Sequence, residues 1–76
     1  MKKARVYVTL KAGVMDPQGK AVQQALGTLG YSEVREVRLG KYLELSLDDG
    51  SEARVREMCE KLLANPVIED YRIEME

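Results

Sequence analysis

Along residues 5–10 apolar and polar positions alternate, with Val6, Val8 and Leu10 on one side and Arg5, Tyr7 and Thr9 on the other. A period of two marks a half-buried strand, so this strand turns its even positions to a core. Residues 11–15 read as a loop leading to Asp16-Pro17. Asp caps a helix N-terminus with its carboxylate, and Pro suits the first helical position because the amide it lacks would have no partner there. A helix therefore starts at Pro17. Ala21, Val22, Ala25, Leu26 and Leu29 fall on one side of a helical wheel, Lys20, Gln23, Gln24, Gly27 and Thr28 fall on the other, and Gly30 stops the helix.

Tyr31 to Leu39 leans towards strand, but Val34 has the opposite parity to Val37 and Leu39, so this strand contains a bulge or begins after Val34. Beyond Gly40 the alternation is clean, with Leu43, Leu45 and Leu47 inward and Tyr42, Glu44 and Ser46 outward. Asp48-Asp49-Gly50-Ser51 supplies turn residues that end in a helix cap, and Val55, Met58, Cys59, Leu62 and Leu63 share one face of a second helix. Its outer face carries Glu52/Arg56 and Glu57/Lys61 at i,i+4 with the acid first, the favourable order relative to the helix dipole. Asn65-Pro66 closes that helix, Val67 to Glu69 break parity as a lead-in, and Tyr71, Ile73 and Met75 alternate with Arg72, Glu74 and Glu76 in a last strand. The expected fold class is α+β: a split β-α-β-β-α-β (ferredoxin-like) arrangement, with a four-stranded antiparallel sheet and two helices on one face. The other sheet face, carrying Arg5, Tyr7, Thr9, Tyr42, Glu44, Ser46, Arg72 and Glu74, is expected to be wet or covered by a partner.

Composition narrows the function classes. With 76 residues the chain reads as one domain over residues 1–76, too small to wall a deep pocket, which speaks against a self-sufficient enzyme. The formal net charge of -1 lacks the basic footprint of a general nucleic-acid binder. The halves nevertheless differ, +4 over residues 1–38 and -5 over residues 39–76, a polarity that suits subunit contacts. One Cys cannot form an internal disulfide, so the expectation is a reducing compartment and an oligomer. Met1, Lys2 and Lys3 lead straight into the first strand with no signal-peptide core, and no run has membrane length, which predicts a soluble, cytoplasmic protein.

Candidate chemistry is sparse. Cys59 lies among the apolar positions of the second helix, and a chain without His offers no imidazole to deprotonate it, so it reads as a core residue. The same composition excludes a zinc or copper site and with it the metal-chaperone role of this topology. The carboxylates lie on helix faces and strand ends, where solvated charge is ordinary, and no catalytic pair stands out. A phosphate at the Asp16-Pro17-Gln18-Gly19 turn would meet the capping carboxylate, so a structural cap is the better account. Gly40-Lys41 reads as a turn glycine and a solvated lysine, with an anion contact as the alternative. Gly27, a helix-weakening residue at an exposed position, is either simply tolerated or the site of a partner's close approach.

Three stretches carry more. Leu10-Lys11-Ala12-Gly13-Val14-Met15-Asp16-Pro17-Gln18-Gly19-Lys20-Ala21-Val22 with Ala25-Leu26 and Leu29-Gly30-Tyr31, then Val37-Arg38-Leu39-Gly40-Lys41, then Leu62-Leu63-Ala64-Asn65-Pro66-Val67-Ile68-Glu69-Asp70-Tyr71, resemble the PurS family in order and separation over nearly the whole chain. PurS is the small subunit of phosphoribosylformylglycinamidine synthase, a ligase of de novo purine biosynthesis. The resemblance implies a subunit with no catalytic residues and no bound cofactor or metal of its own. In such a complex a glutaminase subunit releases ammonia, and a large synthetase subunit uses ATP and magnesium to convert formylglycinamide ribonucleotide to formylglycinamidine ribonucleotide. The PurS-like subunit, a homodimer or dimer of dimers, bridges the two and supports ammonia transfer. The stretches with Asp16, Pro17 and Gly19, with Gly40 and Lys41, and from Asn65 to Tyr71 match the family's motifs. Asp16-Pro17 and Asn65-Pro66 already have structural explanations as helix boundaries, so Lys41, Glu69, Asp70 and Tyr71 rank ahead as partner contacts. Other classes remain open on topology alone. One is a regulatory module that holds an amino acid between protomers. Another is an acylphosphatase-like enzyme, although Lys11-Ala12-Gly13 lacks the arginine such a phosphate loop needs.

Overall fold

A computed structural model describes residues 2–76, leaving Met1 outside. Three strands form one antiparallel sheet: β1 (Lys2–Leu10), β2 (Gly40–Leu47) and β3 (Glu69–Met75), in the order β2-β1-β3. Two helices intervene, α1 (Pro17–Thr28) and α2 (Glu52–Met58), the second running into a π-helical turn over Cys59–Leu63. Register follows the hydrophobic pattern. Val6 lies between Leu43 and Ile73, and Ala4 between Leu45 and Met75, so the even positions of β1 meet the apolar residues of both neighbours on one face. Ala4, Val6 and Val8 are buried there under Val55, Cys59 and Ala64. Caps and pairs also follow the sequence: Ser51 accepts from the Arg54 amide, Arg56 reaches Glu52 at 2.9 Å and Lys61 reaches Glu57 at 3.2 Å.

The four-stranded sheet is not formed. Residues 31–39 pair with no strand, and their hydrogen-bonding groups go elsewhere. The Leu39 amide donates to the Asp16 carboxylate (2.8 Å), the Arg35 carbonyl accepts from the Gln23 side-chain amide (2.8 Å), and Val34 closes a turn onto Tyr31. Val34 and Val37, the half-buried positions of this run, are three apart, a spacing that no strand can place on one face. The segment is therefore a strap along α1. Gly40, expected in a turn, is the first residue of β2 and lies opposite Thr9.

Among the described residues only α2, its π turn and Ala64 just after it supply the core that covers the sheet. No residue of α1 belongs to the core, and its apolar stripe is open: Val22 is 40% and Leu29 71% exposed. The molecule is correspondingly long, 47 × 25 × 14 Å with a radius of gyration of 15.5 Å, where a compact chain of this length would have roughly 11 Å. A second correction concerns Leu62, which the helical wheel placed inward and which is 81% exposed. The Ala64 amide bonds to the Cys59 carbonyl, five residues back (3.0 Å), and this wider turn rotates Leu62 out while bringing Leu63 and Ala64 onto the core.

Candidate functional site

The three matching stretches converge where β1 ends. Pairing sets Gly40 opposite Thr9 and Glu69 opposite Leu10, which brings the starts of β2 and β3 to either side of the end of β1. Asp16 adds α1 to this junction. One carboxylate oxygen accepts from the Gly19 amide (2.8 Å) as the expected helix cap, and the other accepts from the Leu39 amide (2.8 Å), clamping the helix to the entrance of β2. Pro17 occupies the first helical position. Gly19 is buried in this clamp, and a β-carbon there would collide with the Val37 carbonyl and the Asp16 carboxylate, so the strap can lie this close only over glycine.

The result is a shallow groove of about 440 Å³ lined by Leu10, Asp16, Pro17, Gln18, Leu39, Gly40, Lys41 and Glu69. Five of the eight sequence-derived candidates line it: Asp16, Pro17, Gly40, Lys41 and Glu69. Gly19 lies beneath it as a support. Asp70 and Tyr71 are placed elsewhere. Asp70 pairs with Lys11 at 3.8 Å, and Tyr71 turns to the core side of β3, where its hydroxyl donates to Glu60 (2.6 Å) and Arg56 lies 6.0 Å from its ring. Glu69 has a structural task too, accepting from the Asn65 amide (2.6 Å) across the turn before β3. Lys41 is exposed at the rim, free to meet a partner. Sequence reasoning missed Leu10, Gln18 and Leu39. The signal for Leu39 was faint: a capping carboxylate satisfies one amide and leaves a second oxygen to be claimed.

Hydrogen bonds from the Leu39 and Gly19 amides hold the Asp16 carboxyl below the usual carboxylate range, with Arg38 adding a smaller push the same way. A depressed native pKa means that the clamp contributes fully above the unfolded value of about 4 and is lost as pH falls through the native value. We expect Asp16→Asn to reduce stability at neutral pH and to flatten the acid limb. Chemical denaturation of both proteins from pH 7 down to about pH 2 checks this: the stability difference between them should shrink below about pH 4.

The open sheet face is polar and internally paired. Tyr7 and Tyr42 lie with ring centroids 5.1 Å apart, Arg72 sits 4.4 Å over the Tyr7 ring, and the two hydroxyls donate to Glu74 and Glu44. Those carboxylate bonds push both phenols above their ordinary pKa. Arg5 pairs with Glu76 beside them. On the covered face the Cys59 thiol is fully buried, and burial raises its pKa, which disfavours the reactive thiolate. Among the described residues no group of three or more His, Cys, Asp or Glu side chains gathers as a metal site would require, and no helix is long and apolar enough to cross a membrane.

The sequence model of a family described as "PurS: Phosphoribosylformylglycinamidine (FGAM) synthase" matches residues 3–76. The chain belongs to the PurS family. A Bacillus subtilis relative, phosphoribosylformylglycinamidine synthase subunit PurS, is 57% identical over 100% of this chain and 94% of its own length. The crystal structure of Methanocaldococcus jannaschii PurS, one of the subunits of formylglycinamide ribonucleotide amidotransferase in the purine biosynthetic pathway, is 46% identical, with a TM-score of 0.88 over 100% of this chain and 96% of that one. A chain in the structure of PurLQS from Thermotoga maritima is 27% identical, with a TM-score of 0.82 over 100% of this chain and 99% of that one. PurS membership thus extends over the junction, the strap and the open helix alike.

Proposed function

We propose that this protein works as a non-catalytic subunit of phosphoribosylformylglycinamidine synthase: self-associated, it holds the glutaminase and synthetase subunits in register and supports the passage of ammonia between them. ATP and magnesium act in the synthetase subunit, and the assembly works in the cytoplasm. The observation that carries this reading is how little the chain buries alone. Among the described residues the largest fully buried side chains are no bigger than valine, those of Val6, Val8, Val55 and Cys59, while Met15, Val22, Leu29 and Leu62 are exposed. A chain this short with so small a core gains stability by covering such surface with other chains. The groove at the strand junction, built from all three family-matching stretches, is the expected seat of one such contact.

The reading is tested by sizing the protein alone and after mixing with the glutaminase and synthetase subunits in the presence of nucleotide and glutamine. Alone, the protein should run as a dimer or larger. In the mixture all three chains should leave the column together. A monomer that elutes apart from both partners overturns the proposal.

A further inference from the structure

A second concavity, also of about 440 Å³, shares Asp16 with the junction groove and lies between α1 and the strap. Lys11, Lys20, Arg35 and Arg38 line it, against Asp16 and Glu36. Its arginines differ from the chain's others in having no ion pair, whereas its lysines do not stand apart: Lys11 pairs with Asp70, and Lys2, Lys3 and Lys41 on the sheet are as unpaired as Lys20 among the described residues. On α2 and the sheet, Arg5, Arg54, Arg56, Lys61 and Arg72 each have a carboxylate within ion-pair distance. Among the described residues Lys20, Arg35 and Arg38 have none within 4.0 Å, and Asp16 has both oxygens committed to backbone amides. The strap is anchored on both flanks of the arginines, by Gln23 on the Arg35 carbonyl and by Asp16 on the Leu39 amide. The cations are thus displayed on backbone already fixed in place, which lowers the ordering cost of binding.

From this geometry we infer that the cleft between α1 and the strap docks a carboxylate-rich segment of another subunit of the synthase, with Arg35 and Arg38 as its principal contacts. The inference rests on the reading of the chain as a synthase subunit. Several carboxylates fit better than one compact phosphate, because the cations come from β1's end, α1 and the strap, and Asp16 and Glu36 between them repel a concentrated dianion. Guanidinium forks match carboxylates with two parallel hydrogen bonds. A second copy of this chain is the poorer match, since its own acidic half is largely engaged: Glu52, Glu57, Asp70, Glu74 and Glu76 sit in ion pairs, and Glu44, Glu60 and Glu69 accept hydrogen bonds.

The test measures association of the full chain with the two partner subunits, at low and at physiological salt, for the wild type, Arg35→Gln/Arg38→Gln, Arg35→Glu/Arg38→Glu and an α2 control, Arg54→Gln. The neutral double variant should bind about tenfold more weakly, the reversed pair more weakly still, and the wild-type advantage should shrink with salt, while self-association, melting and the control stay unchanged. Wild-type binding by both double variants overturns the inference and leaves the subunit reading intact. Loss confined to self-association also overturns it, by making a second copy the occupant, as does equal assembly of all variants together with inorganic phosphate shifting the amide resonances of residues 35–38. Failure of the wild type to assemble removes both readings at once.

Discussion

Omitting this protein from a reconstituted three-chain synthase should suppress glutamine-dependent synthesis by about tenfold or more while leaving ammonia-dependent synthesis largely in place. The asymmetry follows from what the chain offers: a junction groove, a basic cleft and uncovered apolar surface, beside a buried Cys59 thiol whose pKa burial raises. On the proposed reading such a part contributes proximity. Holding ammonia's source beside its site of use raises the local supply without any new chemical step, and tethering effects of this kind are large because they replace diffusion through bulk solvent with a fixed arrangement. Ammonia added to the tube bypasses the arrangement, so the synthetase reaction itself should persist. Steady-state rates with each nitrogen donor, with and without the protein, make the comparison. Equal loss with both donors would show that the chain supports the synthetase chemistry directly, and undiminished glutamine-fed synthesis would remove the bridging role.

What could be read in advance was whatever depends on local period and cap chemistry. The even face of β1, the leucines of β2, the alternation of β3 and the caps at Asp16 and Ser51 all follow from neighbours in sequence, and the structure has them. The misreadings fall where a residue's partner is remote. Tyr31 to Leu39 has the composition of a strand, but a strand needs a neighbour, and the Leu39 amide is satisfied by a carboxylate 23 residues away. The parity conflict at Val34 was the visible trace of that outcome. α1 was correctly amphipathic, yet an apolar stripe states only that a face favours burial, never which surface covers it; here the chain's own sheet does not. Leu62 was lost to the π turn, where one wider backbone ring shifts the inward phase. Of the candidate residues, those at the ends of elements gathered at the junction because strand pairing places ends together. Asp70 went to the open face because one step along a strand reverses the face, and Tyr71, two steps past Glu69, keeps its side but lies further along β3, where its hydroxyl meets Glu60.

Two glycine substitutions should move stability in opposite directions. At Gly40 a β-carbon would strike the Val8 carbonyl and lie 2.9 Å from the Thr9 methyl, so Gly40→Ala must push β2 away from β1 at the point where the Asp16–Leu39 clamp also holds. Backbone oxygen cannot rotate aside as a side-chain tip can, and overpacking of this kind costs about 2 kcal/mol, lowering Tm by roughly 10 °C in a chain of this size. At Gly27 a β-carbon meets nothing within 4 Å, and the position lies inside α1, where alanine is favoured over glycine by about 1 kcal/mol. Gly27→Ala should therefore raise helicity and, where helix and core unfold together, raise Tm by a few degrees. Thermal denaturation followed by circular dichroism reads both signs, and unchanged Tm in Gly40→Ala would mean that β2 can separate from β1 there without loss. Sizing of the same Gly27→Ala protein adds a functional reading. A variant that gains helix yet loses self-association would place a second copy's backbone against Gly27, which explains why an exposed helix keeps its weakest residue at that point; one that gains helix and still associates would leave the position as tolerated sequence on a solvated face.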